Sequence, residues 1–272
     1  MAEGTCALTG ASGKLVRSHI LPQALTRHSI PGEHFIQAGE GERPVRRWSS
    51  WYDLSLVTRE GEDILARHDE QGIAVLRKHK LIWSSWGSDD SPTFDDLTPT
   101  SPAGHGVRII KDVDGATLRL FFLSILWRAA ASTLQEFKKI TLRPGQMNRL
   151  REMVRTGDPK PQFLFPMNLV QLTTRGPHHN ASPITAKKPL GMNKGTSHIR
   201  IFRFYLDGLL IHFHRDTDIK SWREMGDLTV GRSEQLGVIT MPYEVSLECE
   251  NVELVGAQAQ KQWPHVFQRL TE

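Results

Sequence analysis

The sequence predicts an α+β fold: a small N-terminal unit, a buried central helix and an antiparallel, β-rich C-terminal half. Three observations predict it. Ala116 to Lys139 is the longest helical signal; Leu118, Phe121, Phe122, Ile125 and Ala129 lie on one face, and Leu120, Leu123, Trp127 and Leu134 cover another. A helix apolar on more than one face is buried inside a domain. In the last third, two apolar runs, Ile199 to Leu206 and Leu209 to His214, flank Asp207-Gly208, which reads as a hairpin. At the start, Cys6 stands at the mouth of a Gly-containing turn, and a short strand follows that closes on Ser18-His19-Ile20-Leu21-Pro22.

Composition bounds the function. The chain has 272 residues, 39% of them apolar, with seven Trp and eleven Phe, enough for a sizeable core. No stretch approaches the about 20 apolar residues of a membrane span, and Leu118 to Trp127 is interrupted by Arg119. This excludes a membrane partner. The start, Met-Ala-Glu-Gly-Thr, lacks the pattern of a secretory signal, and two cysteines, Cys6 and Cys249, make no disulfide framework. A reducing, cytoplasmic setting is the expectation.

In chain order, Pro22 opens a helical turn at Gln23 to Arg27. His34 to Arg47 reads as a loop or irregular hairpin. Trp-Ser-Ser-Trp occurs twice, at 48–51 and 83–86, with flanks that do not match. Paired tryptophans suit core anchoring, and the arginines before the first copy also suit base stacking. Asp63 to Lys80 fits one or two short helices interrupted at Gly72. Ser88 to Gly106, acidic and then rich in Pro, Ser and Thr, marks a long loop or boundary. The expected division is therefore a unit at 1–87 and an α+β domain at 107–272. Val107 to Asp112 is a strand and turn. Pro144 to Thr156 is a helix with Met147, Leu150 and Val154 inward and Gly157 as its C-cap. Phe163 to Thr173 alternates as a strand, Gly176 to Gly195 is a polar, basic loop, and Val238 to Tyr243 and Glu244 to Val255 are expected strands.

Cys6-Ala-Leu-Thr9-Gly10, Ser18-His19-Ile20-Leu21-Pro22 and Glu62 resemble the HNH, or treble-clef, family of bacterial and phage proteins. In that family a Cys-x-x-Cys knuckle precedes a Ser-His-Ile-Ile-Pro segment, and a second knuckle opens a helix. The resemblance implies a ββα-like N-terminal unit, and through Leu123-Ser124-Ile125-Leu126-Trp127-Arg128 it extends to about residue 155. The second knuckle falls at Thr58 and Gly61, and the first has Thr9 in place of its second cysteine. One thiolate of four remains, and a structural zinc needs about four N or S ligands, so structural zinc is expected to be absent.

The resemblance makes His19 the candidate catalytic residue, a general base on a water that attacks a phosphodiester beside a divalent metal such as Mg²⁺. Imidazole suits that role because its pKa lies near neutrality. Two departures stand against it: Ser18 replaces the acidic neighbour that helps hold the metal, and no asparagine occurs before Asn148. His212, His214 and Asp216 form a second cluster, in which the two histidines, alternate residues on a strand, share a face and make a second candidate metal site. Between Asp158 and Asp207 there is no acidic residue. Lys160, Arg175, Lys187, Lys188, Lys194 and Arg203 are the expected phosphate contacts there. Two functions follow. One is a nucleic-acid-binding protein with a degenerate HNH-like unit, with or without metal-dependent cleavage in bacterial or phage defence. The other is a non-enzymatic module that binds a protein partner.

Overall fold

The computed structural model describes residues 2–27, 35–38, 45–48, 50–189, 198–215, 219–262 and 264. The N-terminal unit is β1 (Glu3–Thr5), β2 (Ser12–His19), β3 (Phe35–Ala38), β4 (Val45–Arg47), β5 (Tyr52–Thr58) and α1 (Arg59–Lys78). β2 sits between β1 and β5 in an antiparallel sheet, with a register shift between Val16 and Ser18. The extra residues lie on β5, where Asp53 holds the loop by accepting hydrogen bonds from the N–H (2.8 Å) and hydroxyl (2.7 Å) of Ser55.

After β6 (Leu97–Pro99) and β7 (Gly106–Ile110), the chain forms α2 (Gly115–Ala131) and α3 (Pro144–Thr156). Strands β8 (Met167–Leu172), β9 (His179–Ala181), β10 (Ile184–Pro189), β11 (His198–Leu206) and β12 (Leu209–His214) follow, then α4 (Ile219–Met225), β13 (Leu236–Met241) and α5 (Leu247–Gln262). Seven strands make one sheet in the order β10-β11-β12-β8-β13-β7-β6, antiparallel except between β13 and β8. The fold is α+β, as the sequence predicts. β9 instead pairs with β3, in a second three-stranded sheet with β4.

Alternation sorts the large sheet into two faces. Met167, Leu169, Phe202, Phe204, Ile211 and Phe213 join α2 in the main core. Val170, Leu172, Tyr205 and Leu210 face a second cluster with Trp83, Trp86, Phe94 and Tyr243. α2 is buried on nearly every side, as expected from its sequence, and the main core runs from Cys6 to Val238. The two parts flanking residues 88–106 therefore share one core.

The hairpin at Asp207-Gly208 forms as expected. Both residues take positive φ, 50° and 81°, the pair of values that a type I′ turn requires. α3 also matches, ending on Gly157 at φ 73°.

Four expectations are corrected. α1 is continuous through Gly72, because Phe121 of α2 packs where a side chain at 72 would stand; the glycine permits close helix contact rather than a break. α2 stops at Ala131, short of Lys139, because Asp53 takes hydrogen bonds from Ser132 Oγ (3.0 Å) and Thr133 N–H (3.3 Å). Glu244 to Val255 is helical rather than extended: Ser246 Oγ accepts the Cys249 N–H at 3.2 Å, and Glu248 and Glu250 occupy the first turn, where the helix dipole favours them. The basic stretch after Gly176 contains β9 and β10 rather than being all loop.

Candidate functional site

The turn at Cys6 is built by its own backbone. Gly10 N–H donates to the Cys6 carbonyl (2.8 Å), Cys6 N–H to Ala11 (2.9 Å), and Thr9 N–H to Cys6 Sγ (3.4 Å). β5 then brings the start of α1 against it. Thr58 lies beside the thiol, and a Cβ on Gly61 would come within 2.7 Å of Sγ. Cys6, Thr9, Thr58 and Gly61, the four positions that the family resemblance singles out, thus meet in space. Burial pushes the Cys6 thiol up, and hydrogen bonds from Thr9 and Thr58 outweigh it, leaving the thiol below its ordinary value. This set does not fit tetrahedral zinc. It offers one sulfur, and that sulfur already packs against the helix backbone at Gly61.

His19 ends β2 opposite Tyr52. Its ring meets the Tyr52 ring edge-on at 6.0 Å, and the Arg17 guanidinium lies 4.4 Å over the same tyrosine. Burial first, then Arg17 and Arg128, lower the His19 pKa against the opposing pull of Asp69. Nε2 is buried and has no hydrogen-bond partner among the described residues.

Behind His19, Arg128 of α2 is 2% exposed. It donates to both Asp69 oxygens (2.6 and 2.9 Å) and to the His19 carbonyl (3.0 Å). Asp69 comes from α1, so this one guanidinium ties α1, α2 and the end of β2 together. Ser18 is fully buried, and nearby Glu62 has its pKa raised by burial, with Ser18 and Arg128 pulling it back. A divalent cation does not fit here, because a bonded guanidinium already supplies positive charge to the carboxylate and to the His19 backbone. No group of three or more His, Cys, Asp or Glu able to hold a metal occurs among the described residues.

The other candidates are scattered. His212 and His214 do share one face of β12, where His214 Nε2 is 3.2 Å from Asn168 Oδ1. They gather no third ligand among the described residues, and Asp216 lies outside them. Arg203 is corrected as a phosphate contact: it is buried at 8% exposure and ion-paired with buried Glu248. Lys187 is exposed and sits opposite exposed Arg200 across β10 and β11. Lys160 is exposed after α3. The side chain of Lys188, and Lys194 altogether, lie outside the described residues.

Among the described members of the predicted stripe, Arg175 lines a cleft. This cleft, about 370 Å³, is lined by Arg27, Arg77 and Arg175 together with Leu25, Ser84 and Asp207. Only Arg175 stands out in the sequence, since Arg27 and Arg77 come from segments about 50 residues or more apart. Comparison with protein-family models, curated proteins and solved structures returns no match.

Proposed function

We propose that the chain binds nucleic acid, with its N-terminal unit a metal-free, HNH-like scaffold that does not cleave. One observation carries this reading: cation and ring are interleaved at the open end of the β2–β5 sheet. There Arg17 stacks on Tyr52 beside His19, and Trp48 is 66% exposed nearby in sequence. Bases stack on such rings while guanidinium groups meet phosphates. The convergence of Cys6, Thr9, Thr58 and Gly61 supports the HNH-like part of the reading, and Arg128 in place of a metal supports the loss of cleavage.

The test is anisotropy of labelled single-stranded DNA and RNA as salt is raised. Binding should weaken steeply with salt, and Arg17→Glu with Tyr52→Ala should weaken it at least tenfold without lowering the melting temperature. Salt-insensitive binding, or none, would reject the proposal. A second reading, a protein partner, has its own support: Val245, Leu247 and Leu254 are 49%, 54% and 58% exposed around the start of α5. Retention of a partner by the wild type but not by Leu247→Asp with Leu254→Asp would favour it.

A further inference from the structure

We infer that the cleft at the C-terminal end of α1 is a binding site for a phosphate monoester, separate from the β2–β5 face. Three arginines from separate segments of the chain line it. Arg27 follows the turn at Gln23–Leu25, Arg77 lies in the last turn of α1, and Arg175 lies between β8 and β9.

Arg175 is fixed from behind. It donates to the carbonyls of Trp83 (3.0 Å) and Gly87 (3.1 Å) and pairs with Asp90 at 3.2 Å. Asp90 is 76% exposed, so that pair is solvated and weak. The side chains of Arg27 and Arg77 are exposed and make no hydrogen bond or ion pair among the described residues. Like charges gathered in a concavity repel one another, and an anion between them removes that cost.

Asp207, the one acid among the described lining residues, is engaged: its Oδ2 accepts the Ser84 N–H at 3.0 Å. Three cations outnumber Asp207 and the solvated Asp90, which leaves a net positive charge for an anion. Guanidinium forks match the oxygens of a phosphoryl group in pairs. Ala24 and Leu25 supply an apolar wall for the organic part, and about 370 Å³ suits a ligand of nucleotide size. The terminal phosphate of a nucleic-acid strand and a free mononucleotide present the same chemistry.

The experiment is calorimetric titration of the full chain, at constant ionic strength, with inorganic phosphate, adenosine 5′-monophosphate, and a short oligonucleotide carrying either a 5′-phosphate or a 5′-hydroxyl. Adenosine 5′-monophosphate should bind at least tenfold more tightly than adenosine. Arg77→Glu and Arg27→Glu should each lower that affinity at least tenfold, with unchanged circular dichroism melts, since both side chains are exposed. Preference of at least tenfold for the 5′-phosphorylated strand, lost in Arg77→Glu, identifies a strand terminus as the ligand. Monophosphate binding without strand preference identifies a small molecule, and also supports the site. Equal heats from adenosine and its monophosphate, or affinity unchanged in the Arg27→Glu, Arg77→Glu double variant, would overturn the inference. Arg17→Glu should leave monophosphate binding unchanged, so failure of the β2–β5 interface and failure of this cleft are separate results.

Discussion

The two copies of Trp-Ser-Ser-Trp show how little a tetrapeptide decides by itself. At 83–86 the segment coils into a 3₁₀ turn, in which residues three apart eclipse each other. Trp83 and Trp86 therefore enter the same cluster, their rings 6.4 Å apart, and donate to the carbonyls of Leu172 and Lys80 at 3.0 Å each. At 48–51 the described residues form no such turn, and the chain runs directly into β5. Trp51 goes inward, against Phe137 and bonded to Glu136 Oε1 at 2.9 Å, while Trp48 is 66% exposed. Backbone conformation, set by what comes before and after, turns one copy into a core anchor. It splits the other between core and surface.

Four measurements break or sharpen this contrast. Trp83→Ala should cost about 3–5 kcal/mol in urea unfolding, because a large buried ring and its hydrogen bond are both lost. A cost near that of a surface change would remove the second copy's role as an anchor.

His179 stacks on Tyr205 in the same neighbourhood, 4.3 Å away, and burial pulls its pKa down to about 4. The unfolded imidazole binds a proton near pH 6.5 and the folded one does not, so this group destabilises the fold as pH falls from 6.5 towards 4. A shift from 6.5 to about 4 corresponds to about 3 kcal/mol across that interval. Glu62 and Glu248, whose pKa values burial raises, act in the opposite sense over part of this range. The difference between the wild type and His179→Phe isolates the histidine: the variant should lose less stability between pH 7 and 4.5. Parallel curves would show that His179 is not the acid-sensitive group.

Trp51→Phe keeps most of the buried ring but gives up the bond to Glu136, so about 1 kcal/mol should be lost. Combining it with Glu136→Gln in a double-mutant cycle reads the bond itself, and a coupling of zero would mean it contributes nothing. Trp48→Ala should change stability by no more than about 0.5 kcal/mol. If the nucleic-acid proposal holds, the same change should weaken single-strand binding by about 1–3 kcal/mol. Loss of stability at position 48 would instead make the first copy a second anchor.

Much of the fold was legible, because local signals and tertiary packing agreed. The Asp207-Gly208 turn, the all-round apolar face of α2 and the Gly157 cap each carry their own instructions. Gly72 misled because a glycine in a helix can mark a break or a close contact, and only Phe121 across the interface decides. The helix at α5 had a visible Ser246 cap, but its mixed pattern of apolar residues resembled a strand. The site was less legible. His19 sits at the strand end the sequence implied, yet Arg128, which governs its surroundings, is 109 residues away in the chain. The basic stripe dispersed because β11 alternates: Arg203 turns inward to Glu248 while Arg200 turns out. The arginine cleft gathers residues that no one-dimensional window holds together.

The shared core has a consequence for inheritance. Since a single apolar cluster takes residues from Cys6 through Val238, the N-terminal unit is not a cassette that recombination can exchange freely. An incoming unit would need a small residue under Phe121 and a carboxylate for Arg128, both already fixed on α2. Lineages carrying this chain should therefore change the unit by point substitution, with compensating changes on α2, rather than by swapping it whole.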